Sequence, residues 1–207
     1  QFAKINRRDL YRTIVINAYL QGGYTARDIT QELEPWLEEE AKKWPEGYTY
    51  ELGGEAEDSA SGLQAVIDQL PISGFLIVLL LILQFNSFRM TAIVLGAIPM
   101  GIIGVVLGLF LFKSYFGFFA FLGIISLAGI IINNAIVLLD RIEIEQEEYK
   151  RAPWESIIAA CQQRLRPILL TTFTTTLGLI PLYLGGGLMW EPMAIGIIVG
   201  LLFGTII

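Results

Sequence analysis

Gly129-Ile130-Ile131-Ile132-Asn133-Asn134-Ala135-Ile136 sets two adjacent amides inside a run that carries no charge from Ser114 to Leu139. A helix crossing a bilayer needs ~20 apolar residues, within a range of roughly 17–25. The run is long enough to span. Polar side chains at that depth are costly unless they meet partners inside a helix bundle, so the pair is a functional-site candidate.

Working outward, further charge-free runs cover Pro71 to Phe88, Met90 to Phe112, Pro167 to Trp190 and Pro192 to Ile207. The last is still apolar where the sequence stops, and reads as a helix cut short. The chain is 54% hydrophobic and 16% charged, with a mean hydropathy of +0.59. A soluble domain carries about a quarter of its residues charged. The expected fold is therefore a mostly α, polytopic membrane bundle of four complete spans and a truncated fifth over residues 71–207. With no initiating Met and no signal peptide, the chain reads as a fragment of a larger polytopic protein.

Thirteen acidic and seven basic residues precede Pro71, a difference of six that accounts for the net charge of -6. An acidic balance argues against nucleic acid as a partner. One cysteine, Cys161, permits no internal disulfide, and without histidine the usual zinc clusters are absent. No cofactor is expected.

Residues 1–54 read as a small α+β unit outside the membrane. Thr13 to Leu20 is rich in β-branched residues and suits a strand. Gly22-Gly23 breaks it, and Thr25 to Asp28 resembles a capping box. Ile29, Leu33, Trp36, Leu37 and Ala41 follow at helical spacing, with Pro35 expected to kink or divide the helix. Tyr48, Tyr50 and Leu52 alternate as a second strand, completing a β-α-β order whose sheet needs further strands. Residues 55–70 read as a connecting helix that enters the membrane at Pro71. In the long segment at about 141–166, Trp154, Ile157, Ile158 and Cys161 recur at helical spacing. That pattern predicts an amphipathic helix on the membrane surface, with Cys161 on its apolar side.

Arg89, Arg141, Lys150, Arg151, Arg164 and Arg166 fall on one side if the spans alternate, against Lys113 on the other. The positive-inside rule makes the first side cytoplasmic and residues 1–70 extracytoplasmic.

No nucleophile–base pair, phosphate loop or metal cluster is recognisable, so the candidates for chemistry lie in the spans. Ser126, Asn133 and Asp140 are seven apart and share a helical face with ~20° drift per step. For Asn133 and Asn134 two readings stand: interhelical hydrogen bonding, and membership of a proton or ion relay or its switch. Asp140 is either a solvated helix end paired with a neighbouring cation or a buried acid. Thr171, Thr175 and Gly178 share a face, as a packing surface or as part of a relay. Glycines at 96, 101, 104 and 108 read as close helix packing.

These motifs carry a resemblance. Leu83-Gln84-Phe85-Asn86-Ser87-Phe88, the stretch from Gly129 to Glu143, and Arg164-Leu165-Arg166-Pro167-Ile168-Leu169-Leu170-Thr171-Thr172 stand in the order of one family. The chain resembles the C-terminal half of a resistance-nodulation-division (RND) efflux pump inner-membrane subunit, of the hydrophobe/amphiphile (multidrug) branch. The resemblance implies a proton/substrate antiporter for drugs, detergents and dyes, and not an enzyme. It also implies a homotrimer in the bacterial inner membrane, surrounded by lipid and joined to a periplasmic adaptor and an outer-membrane channel. Residues 1–54 would be half of a periplasmic porter subdomain. The family's relay joins two Asp of an earlier span to a Lys, a Thr and a preceding Arg. The Thr corresponds to Thr171 and the Arg to Arg164, whereas Asn133 stands at the Lys position. Asn donates a hydrogen bond but cannot neutralise a carboxylate. A non-transporting RND-like receptor or protein-export accessory is the alternative, and a membrane-anchored enzyme is disfavoured.

Overall fold

The computed structural model describes residues 6–8, 10–18 and 26–207, without the side chains of 26–28, 55, 56 and 188. The chain divides into two compact units, Gln1–Asp58 and Ser59–Ile207.

In the first unit β1 (Asn6–Arg8) pairs antiparallel with β2 (Tyr11–Thr13), placing Asn6 opposite Thr13 and Arg8 opposite Tyr11. Helix α1 spans Ala26–Ala41 and runs undivided through Pro35. The predicted capping box begins at Thr25, and Gly22-Gly23 precedes it; these positions lie outside the described residues. The β-α-β expectation is corrected among the described residues. Residues 14–18 and 48–52 form no strand, and 19–20 are not described. Ile14 and Ile16 stand exposed. A strand is held by ladder bonds to a neighbour, and these two segments find none here, so β-branched composition alone leaves them irregular. Arg8 ties the hairpin onward through ion pairs to Glu51, at 3.0 Å, and to Glu57.

The second unit is a helix bundle. Helix α2 (Glu55–Phe85) passes through Pro71 without a break, so the expected connecting helix and first span are one element. Asn86, with φ of 46°, makes the turn in the left-handed region that asparagine tolerates. Ser87 then caps α3 (Phe88–Leu111), its hydroxyl accepting from the Met90 amide. The end of α3 is a Schellman turn. Lys113 sits at φ 52°, its amide bonds Phe110 O, and the Ser114 amide bonds Leu109 O at 2.9 Å. Helices α4 (Phe118–Glu147) and α5 (Pro153–Gly185) are joined by five residues, with Pro153 in the first turn of α5, where its missing N–H is harmless. Helix α6 is Gly187–Ile206.

Among the described residues, five helices, beginning with α2, are long and apolar enough to cross a membrane. Helix α6 packs against α3, α4 and α5, and the main core gathers Val105, Leu109, Ala120, Leu127, Ile195 and Leu201 around it. The approach of α3 to α6 depends on glycine. A Cβ on Gly104 would lie 2.7 Å from Phe203 Cβ and 2.9 Å from Gly200 Cα. Gly101 and Gly108 face Ile131 and Val199 as closely, whereas Gly96 meets nothing within 4 Å. A second cluster sets Leu81 and Phe85 of α2 against Val94, with Ile132, Ala135, Ile136 and Leu139 of α4 beside it.

The last helix starts at Gly187, ahead of the charge-free run that begins at Pro192, and runs to Ile206; a membrane helix accommodates such a proline without ending there. The segment 141–166 is not a separate surface helix. It is the end of α4, a short loop and the start of α5, and Cys161 is exposed. Apolar periodicity reports a face, and two long helices that extend past the apolar runs supply the same periodicity as a surface helix.

Candidate functional site

Helix α4 is packed on two sides. Leu127, with Ile124, Ile130 and Ile131, turns toward the core around α6. Ile132, Ala135, Ile136 and Leu139 turn toward the α2–α3 cluster. What remains outward is the stripe Ser126, Gly129 and Asn133, all exposed, with Asn134 half-buried beside it. The spacings of three and four residues place the stripe on one helical face.

On α5 the predicted residues divide. Thr171 is exposed, and its hydroxyl donates to Ile168 O at 2.9 Å. The next residue, Thr172, is the buried one, at 2% exposure. Its hydroxyl lies 3.0 Å from that of Thr205 on α6, which donates in turn to Leu201 O at 2.7 Å. Thr172 is therefore the donor of the pair. Thr176, one turn on, buries its hydroxyl without a hydrogen-bond partner among the described residues. Arg164 is half-buried, and its Nε also lacks one among them.

No hydrogen bond or ion pair among the described residues joins any two of Asn133, Asn134, Asp140, Arg164 and Thr171. Asp140 is half-buried and is not paired with Arg141, the cation the solvated-end reading would have given it. Arg141 turns instead to Glu145, a residue that the sequence did not single out. Glu145 is 1% exposed. One of its oxygens accepts from Arg141 at 2.6 Å and from Gln163 of α5 at 2.9 Å. The Arg151 guanidinium stands 3.0 Å from the other, an ion pair without hydrogen-bond alignment. Both arginines lie over the Tyr149 ring, at 5.7 and 5.8 Å from its centroid. Ser156, fully buried, donates to Ala152 O at 3.0 Å and steadies the loop. The i,i+4 spacing of Arg141 and Glu145 was a visible signal. It stood among several acidic neighbours at similar spacings, and Gln163 lies eighteen residues away.

A family model described as AcrB/AcrD/AcrF family matches residues 2–207. The chain belongs to this family, within the RND superfamily of membrane transporters. It is 30% identical over 168 residues to the nickel-cobalt-cadmium resistance protein NccA of Alcaligenes xylosoxydans xylosoxydans, a match covering 80% of this chain and 16% of that protein. It is likewise 30% identical over 181 residues to an uncharacterized transporter of Haemophilus influenzae, covering 83% and 18%. The crystal structure of a heavy metal efflux pump superposes with a TM-score of 0.63 at 26% identity, over 88% of this chain and 18% of that one. The chain thus spans less than a fifth of the length of these relatives. The multi-pass helical fold expected from the charge-free runs stands, and with it the superfamily.

Proposed function

We propose that the chain is the membrane-coupling part of an RND transporter that exports hydrophobic or amphiphilic compounds in exchange for protons. In this reading it lies in the bacterial inner membrane, with residues 1–70 in the periplasm as part of a porter domain. The whole protein would be a homotrimer working with a periplasmic adaptor and an outer-membrane channel. The observation that carries the reading is the outward stripe of Ser126, Gly129 and Asn133 on a helix otherwise packed on both sides. A polar face turned to hydrocarbon is costly, so a partner with carboxylate or other polar groups would cover it in the whole protein. Asn133 then donates its amide hydrogen bond to an ionised carboxylate and rearranges when that group takes a proton. Thr171 and Arg164 approach the same charge from α5, while Asn134 and Asp140 flank it.

The test uses the full-length protein in an efflux-deficient strain. Asn133→Leu is expected to abolish resistance while leaving the assembled protein in the membrane; unchanged resistance returns the pair to simple packing. Loss of export on adding a proton uncoupler, with no effect of sodium removal, is expected for proton exchange.

A second substrate reading, export of divalent metal ions, is favoured by the likeness to NccA and to a heavy metal efflux pump. Survival in ethidium and dodecyl sulfate against survival in Ni2+, Co2+ and Cd2+ separates the two. Protection by the expressed protein against the first set supports the amphiphile reading, and protection against the second replaces it.

A further inference from the structure

Helix α5 is held in the bundle by few buried side chains. Of its 33 residues, Ser156, Ala160 and Thr172 are the buried ones. Apolar contact is non-directional, and lipid tails compete with it on equal terms, so such a helix has little to fix its axial position. Two directional attachments supply that. One is the Thr172–Thr205 hydroxyl pair to α6. The other is the carboxylate of Glu145, which takes Arg141 of its own helix and Gln163 of α5 on one oxygen and faces Arg151 of the loop with the other. At 1% exposure this carboxylate has no water to replace a lost partner.

The position of this clasp matters for the polar residues higher in the membrane. Counting ~1.5 Å per residue, Asn133 lies ~18 Å along α4 from Glu145, and Thr171 ~12 Å along α5 from Gln163. Asn134 precedes Glu145 by eleven residues, three turns, and falls within ~20° of its face. A slip of one turn at the clasp, ~5.4 Å, would move Thr171 relative to the asparagines by the same amount.

We propose that Glu145 is a positioning residue that sets the axial register of α5 on α4, and with it Thr171 against Asn133 and Asn134. The proposal rests on the relay reading of those residues. Glu145 itself stays outside the path of the protons. Its three partners hold it in one state, and its role is geometric.

The experiment uses the full-length pump in proteoliposomes, with ethidium or Cd2+ as the probe, whichever the unsubstituted pump exports. Spin labels at Phe116→Cys, two residues before α4, and Leu184→Cys, in the last turn of α5, both exposed, report register in a background without other cysteines. Glu145→Ala is expected to shift or broaden the label distance by several ångströms. Turnover per folded pump should fall at least tenfold with KM for the probe unchanged. Glu145→Gln, which keeps an acceptor for Gln163 and Arg141, should restore the label distance and most of the turnover. If Glu145→Ala yields no folded pump, Gln163→Ala removes the link to α5 alone and is read the same way. Lost turnover at an unchanged distance overturns the proposal, as does a shifted distance at unchanged turnover. Full export by Asn133→Leu would instead overturn the relay, and the label distance still reports separately whether Glu145 sets the register.

Discussion

Adjacent threonines on α5 have opposite fates. Thr171 turns outward and satisfies its hydroxyl on its own helix, while Thr172 turns inward and bonds Thr205. Hydrogen bonds between membrane helices average ~0.6 kcal/mol in double-mutant cycles. Thr172→Val and Thr205→Val are expected to couple by about that amount in detergent unfolding of the full protein. A coupling near zero would mean that the two hydroxyls touch without holding the helices. The adjacent amides were legible as an intramembrane polar pair from the sequence. That Asn133 faces outward while Asn134 is half-buried was not, because the packing of Ile131 and Ile132 on two different neighbours decides it. Glu145 was hidden for a related reason. A charged residue just past an apolar run looks solvated until the next helix is seen to cover it.

Among the helices, the seam between α3 and α6 depends on hydrogen in place of side chains. Gly104→Ala would force its Cβ to 2.7 Å from Phe203 Cβ, so the helices must part. Overpacking of this kind costs about 1–3 kcal/mol, read as a lowered unfolding midpoint. Gly96→Ala on the same helix meets nothing within 4 Å and is expected to be neutral, or to gain up to about 1 kcal/mol of helix propensity. A like loss from both would show that the seam is not where α3 is tight. Four glycines read alike in the sequence; α6 crowds Gly104 and Gly108, α4 crowds Gly101, and neither reaches Gly96. Helix ends were better signalled. Asn86-Ser87 and Lys113-Ser114 separate charge-free runs in the sequence, and each forms a compact cap between spans. The strands of the first unit were the weakest reading, since β composition has no effect without a neighbour to pair with.

For the molecule as a whole, α6 is the element that α3, α4 and α5 share, and the polar stripe on α4 faces away from it. A chain of under a fifth of its relatives' length, with an amide-bearing face open, is expected not to transport alone. Residues 1–207 reconstituted in vesicles should export neither ethidium nor Cd2+, and export of either would mean that the stripe needs no cover. The sequence by itself determined the membrane class, the number of apolar helices and the superfamily. Those follow from the absence of charge over spanning lengths and from local motifs, which need no knowledge of neighbours. The tertiary structure alone decided which amide is outward, which threonine is buried and that Glu145 joins α4 to α5. Each depends on which face of a helix another helix covers, and periodicity along one chain segment does not contain that.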